Sequence, residues 1–112
     1  MPKSTNRVDI STALPLKFER VKKHLKEDHD LLWTDFLVLC ALVELEKTQY
    51  FIQTSDIIQY IGRNPGMVYT AVKRLKEKQF IGLETPERKH QPREIYINGW
   101  GHSFLKTMFR RI

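Results

Sequence analysis

The feature that most constrains the fold is a helix with one apolar and one polar face in the middle of the chain. Residues 64–78 begin with Asn64, a preferred N-cap, and Pro65, whose missing N–H costs nothing at the first helical position. Apolar residues at i, i+3, i+4 and i+7 predict a buried face made of Val68, Ala71, Val72 and Leu75. The opposite face has Gly66, Tyr69, Thr70 and Lys73, with Arg74 at its margin. This polar, cationic face is suited to enter a groove and donate hydrogen bonds there.

The elements on either side predict the context of that helix. A shorter helix is predicted over residues 54–61 with Thr54 as its N-cap, and Gly62 and Arg63 form a tight turn into the next helix. This arrangement is typical of a helix-turn-helix. Downstream, residues 79–84 and 94–98 predict two strands of a hairpin whose tip is polar and basic. Upstream, a helix capped by Thr34 and running to about Lys47 is apolar on nearly all sides, so we expect it to be the central buried element.

The positive charge of the chain is concentrated in this region. The 112 residues have a formal net charge of +6. Residues 63–93 contain eight Lys or Arg against three Glu, whereas the rest of the chain contains eleven against ten acids. Nearly the whole excess therefore lies on the predicted helix and hairpin. Such a distribution favours a nucleic-acid partner, because these cations can neutralise phosphates and release counterions.

Several short stretches, in this order, resemble one protein family: Trp33 to Leu39, Ala71 to Leu75, Phe80-Ile81, Pro86 to Lys89 and Arg93 to Asn98. On these stretches, residues 34–101 resemble the winged helix-turn-helix of the MarR superfamily, most closely its SarA-like branch. The resemblance implies an α+β, mainly helical fold with five to six helices and a three-stranded antiparallel wing sheet. Residues 50–52 would be the first strand of that sheet. The wing tip is slightly longer than the usual turn of the family, so either Arg88 or Lys89 takes the place of the family's minor-groove arginine.

These patterns together predict a set of DNA-binding residues. Base-edge contacts are expected from the N-terminal half of the exposed helix face, which contains Asn64, Gly66, Tyr69, Thr70 and Lys73. Phosphate contacts are expected from Arg63 and Arg74. The wing is expected to meet the minor groove or its phosphates through Arg88, Lys89 and Arg93.

The two ends of the domain predict a dimer. An amphipathic helix is expected from Leu14 to about Asp28, and the last helix has six large apolar residues, more than it can bury against so small a domain. In the resembled family the N- and C-terminal helices form the dimer interface. The predicted interface residues are Phe18, Val21, Leu25, Trp100, Phe104, Leu105, Met108 and Phe109. The alternative is that the last helix folds back onto residues 31–33 of its own chain.

The remaining features of the sequence argue against a membrane protein, a disulfide-bonded protein and an enzyme. Residues 1–13 are expected to be a flexible tail and residues 14–112 a single domain in the cytoplasm, without a secretory signal or membrane span. Cys40 is the only cysteine and lies in an apolar helix, so we expect a buried structural thiol and no disulfide. No metal site, cofactor or catalytic constellation is predicted, so an enzyme is disfavoured.

The sequence therefore predicts a homodimeric, sequence-specific regulator of transcription that binds double-stranded DNA. Its recognition helix would enter the major groove and its basic wing would lie at the minor groove. A role in plasmid segregation, as a centromere-binding adaptor with a second protein partner, or in replication is the alternative. A winged helix used only for protein contacts would have an acidic or apolar exposed face, opposite to the face found here.

Overall fold

The computed structural model describes residues 12–84 and 94–111 of the chain. Four helices, α1 (Ala13–His29), α2 (Trp33–Glu46), α3 (Thr54–Ile61) and α4 (Pro65–Glu77), precede strands β1 (Ile81–Glu84) and β2 (Glu94–Ile97) and helix α5 (Gly99–Phe109). This order confirms the predicted mainly helical, winged helix-turn-helix architecture. Residues 1–11 of the predicted tail lie outside the described residues, and α1 begins at Ala13. None of the helices that the structure describes has the length and apolarity needed to cross a bilayer.

Helix α2 is the centre of the core, as predicted from its apolar composition. It packs against α3, α4, α5 and β2. Its buried side chains include Phe36, Val38, Leu39, Ala41, Leu42 and Leu45. Each large aliphatic side chain buried in this way contributes about 1.5–3 kcal/mol relative to exposure. The predicted apolar face of α4, which is Val68, Ala71, Val72 and Leu75, is buried in the same core.

Two helices begin differently from the sequence-based prediction. Thr34 and Thr54 are not N-caps, because the caps are Leu32 for α2 and Gln53 for α3. In both helices a carboxylate three residues later accepts a hydrogen bond from the backbone N–H of the cap residue. The Asp35 Oδ2 atom lies 2.7 Å from the Leu32 nitrogen, and the Asp56 Oδ2 atom lies 2.8 Å from the Gln53 nitrogen. The aspartates therefore satisfy amide groups that the helix itself leaves without partners.

The sheet is smaller than predicted. Strands β1 and β2 pair antiparallel from Ile81 opposite Ile97 to Glu84 opposite Glu94, giving a two-stranded sheet in the described part of the chain. Residues 50–52 form no strand, so the predicted third strand is wrong. Ile52 is nevertheless buried, and its carbonyl accepts a hydrogen bond of 2.8 Å from the Ile95 amide. A single bond of this kind attaches the segment to β2 without extending the ladder.

Candidate nucleic-acid interface

The first turn of α4 is fixed by local hydrogen bonds. Gly62 adopts a left-handed conformation, with φ of 72°, in the turn between α3 and α4. The Asn64 Oδ1 atom accepts a hydrogen bond of 2.8 Å from the Gly66 amide, which confirms Asn64 as the N-cap, and Pro65 is the first helical residue. The start of α4 therefore has a defined position although its residues are exposed.

The polar residues of α4 lie together on its exposed side. We call this surface the reading face and define it as Asn64, Gly66, Tyr69, Thr70 and Lys73, all of which are exposed. Tyr69 is 57% exposed, although it follows the fully buried Val68. The face therefore presents a phenol, a hydroxyl, an amide and an ammonium group around a small glycine.

Internal hydrogen bonds limit what two of these groups can do. The Thr70 hydroxyl donates to the Gly66 carbonyl at 2.9 Å, so its oxygen remains available only as an acceptor. The Asn64 side chain uses its oxygen on the Gly66 amide, which leaves its amide nitrogen as a donor. Lys73 adds a cation, and Tyr69 can donate or accept. The reading face thus has both donors and an acceptor, which are the groups required to distinguish base edges in a major groove.

Arg74 occupies a different position from the one predicted. Its Nη1 atom lies 2.8 Å from both carboxylate oxygens of Asp35, which is completely buried, and its own side chain is 29% exposed. The guanidinium group thus faces α2 and is paired there. Arg74 is therefore not a free cation for DNA phosphates, and we remove it from the candidate contacts. The sequence placed it at the margin of the exposed face because periodicity does not reveal a partner 39 residues away.

A second cation borders the reading face and was not predicted. A groove of about 330 Å³ lies between α3, α4 and β1, and it is lined by Thr54, Tyr69, Val72, Lys73, Lys76 and Leu83. Lys76 is exposed and follows Lys73 by three residues, so both ammonium groups lie on the same side of the helix. Its i+3 spacing from Lys73 was the signal that could have identified it. The groove has hydroxyl and ammonium groups around an apolar floor, which suits contact with a sugar-phosphate backbone.

The structure separates Arg63 from this groove. Arg63 is exposed, but it borders a different cleft between α2 and α3 that also includes Glu44 and Tyr60. The predicted wing contacts Arg88, Lys89 and Arg93 lie outside the described residues.

The stem of the wing carries two acidic residues that face each other across the hairpin. Glu84 and Glu94 are directly opposite each other where the described strands end. Desolvation, and then the Glu84 carboxylate, raise the pKa of Glu94 above its ordinary value. Like charges placed opposite each other weaken strand pairing, so this end of the ladder is a weak point of the hairpin.

Most of the predicted dimer residues are instead part of the monomer core. Val21, Leu25, Phe104, Leu105 and Met108 are all less than 7% exposed. Phe104 stacks on Phe80 with a ring-centroid distance of 4.8 Å. These five side chains have little surface left for a second chain, so we assign them to the core of the single chain and not to a dimer interface. A stripe of apolar residues has the same spacing whether it packs on its own chain or on a partner.

Three predicted interface residues retain accessible apolar surface. Trp100 is 72% exposed and Phe109 is 53% exposed, although the Phe109 ring also contacts the Phe36 ring at 5.6 Å. Phe18 is half-buried against Trp33, with 5.7 Å between the ring centroids. A cleft of about 460 Å³ between α2 and α5 is lined in part by Val43, Leu105 and Phe109. Among the predicted interface residues, the accessible apolar surface therefore lies mainly on α5.

The fold is a winged helix-turn-helix whose second helix, α4, has an exposed polar face. No protein-family model matches the sequence, and no curated protein matches it. Solved structures do match. A mutant of S. aureus MepR bound to an oligodeoxyribonucleotide has a TM-score of 0.71 and 15% identity, over 87% of this chain and 68% of that one. BpsR of Bordetella bronchiseptica, whose DNA binding is regulated by 6-hydroxynicotinic acid, has a TM-score of 0.66 and 18% identity, over 88% and 74%.

A third matching structure is CouR from Rhodococcus jostii RHA1 bound to p-coumaroyl-CoA, with a TM-score of 0.65 and 15% identity. The match covers 88% of this chain and 66% of that chain. At these identities the likeness shows the fold alone. At that level it confirms the predicted resemblance to the MarR superfamily, because MarR-family regulators are among the matching structures. The closer resemblance to the SarA-like branch stays a prediction.

Proposed function

We propose that this protein is a transcriptional regulator that binds double-stranded DNA as a homodimer. The observation that carries the proposal is the reading face of α4, where Tyr69, Thr70 and Lys73 point outward from a helix whose other side is buried. An α-helix fits the major groove of B-DNA, and side chains from its N-terminal half reach base edges there. The fold is shared with a MepR mutant that has been solved bound to an oligodeoxyribonucleotide, and this likeness supports a DNA-binding role.

Each part of the surface has a distinct role in the proposal. The reading face contacts base edges, whereas Lys76 and Thr54 in the adjoining groove contact the sugar-phosphate backbone. Arg63 adds a phosphate contact at the turn before α4. The wing residues Arg88, Lys89 and Arg93 contact the minor groove or its phosphates. Arg74 is excluded because its guanidinium is paired with Asp35.

The proposed dimer uses the exposed apolar surface of α5. Trp100 and Phe109 are large exposed side chains, and burying them against a second copy of the chain would stabilise the dimer. Phe18, which is half-buried, is the third residue proposed for this interface. A two-fold dimer would place its two α4 helices in successive major grooves roughly 34 Å apart, on one side of the duplex. Its site would then be an inverted repeat.

Selection of bound duplexes from a random pool at near-physiological salt tests the proposal. An enriched inverted repeat with half-sites one helical turn apart is the expected result. Direct repeats would instead indicate a role in plasmid segregation or replication. Recovery of no sequence at all would exclude a sequence-specific regulator.

A further inference from the structure

The pair formed by Asp35 and Arg74 is the main polar feature of the core. Among the residues that the structure describes, the buried polar side chains are those of Thr34 and Asp35. Asp35 accepts three hydrogen bonds: one from the Leu32 amide at 2.7 Å, and two from Arg74 Nη1, one to each carboxylate oxygen, at 2.8 Å. One carboxylate therefore both closes the first turn of α2 and holds a side chain of α4.

This contact differs in kind from the rest of the packing between the two helices. Val68, Ala71, Val72 and Leu75 bury apolar surface, and apolar burial is non-directional. A charge-assisted hydrogen bond, in contrast, requires short distances and favourable angles. The Asp35–Arg74 pair is therefore the contact that best resists rotation of α4 about its own axis.

Small rotations of α4 matter for the reading face. Arg74 directly follows Lys73 and lies one helical turn after Thr70. Side chains extend about 5–6 Å from a helix axis, so a rotation of about 20° moves their ends by about 2 Å. A displacement of that size breaks a hydrogen bond to a base edge. It has little effect on attraction to phosphates, which acts over about 8–10 Å.

The pair also lies next to the residues that it would orient. A cleft of about 460 Å³ beside it is lined by Asp35 and Arg74 and also by Asn64, Gly66 and Thr70. The pair and the first turns of α4 therefore border the same cleft.

We propose that Asp35 and Arg74 are positioning residues that set the orientation of the reading face, and that they determine discrimination between DNA sequences rather than overall affinity for DNA. The inference rests on the proposed function. It differs from the sequence-based assignment of Arg74, in which that residue contacts a phosphate directly.

The test compares Asp35→Asn with a matched control, Asp56→Asn. Both aspartates accept a hydrogen bond from the backbone amide of a helix N-cap residue. Asp35 also bonds to Arg74 and so connects α2 to α4. Binding is measured on two duplexes of equal length, the sequence selected by the wild-type protein and a scrambled version, over a range of salt concentrations. Urea unfolding first establishes that each variant is folded at the temperature of the binding assay.

We expect Asp35→Asn to lower the ratio of specific to non-specific affinity at least about tenfold, comparable to the loss of one well-placed base contact. The salt dependence on the scrambled duplex should be unchanged, and Asp56→Asn should keep the wild-type ratio. A loss of affinity that is equal on both duplexes would overturn the proposal, because the pair would then support DNA binding in general and not discrimination between sequences. Arg74→Met tests the alternative role of the arginine, since a salt slope lower by about one in this variant would identify Arg74 as a phosphate contact and overturn the proposal.

A double variant covers the case in which Asp35→Asn does not fold. In Asp35→Leu/Arg74→Met the buried pair is replaced by apolar side chains, a change that often preserves stability. This variant should fold and still lose the specificity ratio. A wild-type ratio in a folded double variant shows that the pair is only structural. Failure of the wild-type protein to select any sequence is a separate result, which removes the proposed function itself.

Discussion

Asn98 joins Gln79, two residues after the end of α4, to the first turn of α5. Its Nδ2 atom donates a hydrogen bond of 2.6 Å to the Gln79 carbonyl, and its Oδ1 atom accepts one of 2.9 Å from the Gly101 amide. Gln79 has a positive φ of 65°, a backbone conformation that residues other than glycine seldom adopt. The chain turns sharply there before it enters β1. One amide side chain thus closes the base of the hairpin and caps the following helix.

We expect Asn98→Ala to lower the free energy of unfolding by about 2 kcal/mol, because it removes both an N-cap and a hydrogen bond to the backbone. Asn98→Asp retains the capping oxygen and should lose about half as much. Urea unfolding of the three proteins measures the difference. Equal losses in the two variants would show that the cap to Gly101 contributes nothing.

Lys73→Ala should weaken binding to duplex DNA and lower the slope of log affinity against log salt by about one unit, because one phosphate or base contact by a cation is lost. The same result is expected for Arg88→Ala. Lys23→Ala, which removes an exposed lysine from α1, is the control and should leave the slope unchanged. Fluorescence anisotropy at several salt concentrations measures the slope. Wild-type affinity and slope in both the Lys73 and the Arg88 variant would rule out the proposed DNA surface.

Cys40 should react slowly with thiol reagents in the native protein. Burial, and then the nearby Glu44 carboxylate, raise the pKa of its thiol to about 11, so the reactive thiolate is scarce at neutral pH. The labelling rate should rise about tenfold per pH unit up to that value, and urea-unfolded protein should react at the rate of an ordinary cysteine. Rapid labelling of folded protein at neutral pH would contradict this prediction.

Replacing Trp100 and Phe109 together by Ser should weaken the proposed dimer at least about tenfold, because large aromatic side chains dominate interface energies. Tyr50→Ser is a suitable control, since Tyr50 is fully exposed at 103% and lies outside α5. Sedimentation velocity over a range of concentrations reports the change. A wild-type protein that stays monomeric throughout would contradict the homodimer.

Features that depend on nearby residues could be predicted from the sequence. Asn64 and Pro65 identify the start of α4 because capping involves atoms only a few residues apart. The apolar spacing from Val68 to Leu75 identifies its buried side for the same reason. The helix caps at Leu32 and Gln53 were missed because the capping oxygen comes from the third residue of the helix, whereas Thr34 and Thr54 are themselves good caps.

Features that depend on distant residues could not be predicted in this way. The ion pair of Arg74 with Asp35 could not be predicted without knowing how α2 and α4 pack, and it directs the partly exposed Arg74 side chain toward α2. The burial of Phe104 and Met108 depends on how α5 returns to the body of the chain. Residues 50–52 have the composition of a strand, but Ile52 makes one bond to Ile95 where a strand would make a ladder.

The internal hydrogen bond of Thr70 limits which nucleotides the proposed complex could tolerate at that point. Since the Thr70 hydroxyl donates its proton to the Gly66 carbonyl, its oxygen can only accept a hydrogen bond from DNA. The exocyclic amines of adenine and cytosine can donate that bond. Thymine could meet the threonine methyl through its own methyl group, whereas guanine presents two acceptors and gains neither contact. We therefore expect guanine to be rare at one position of each half-site, as a consequence of the hydrogen bond between Thr70 and Gly66 within α4.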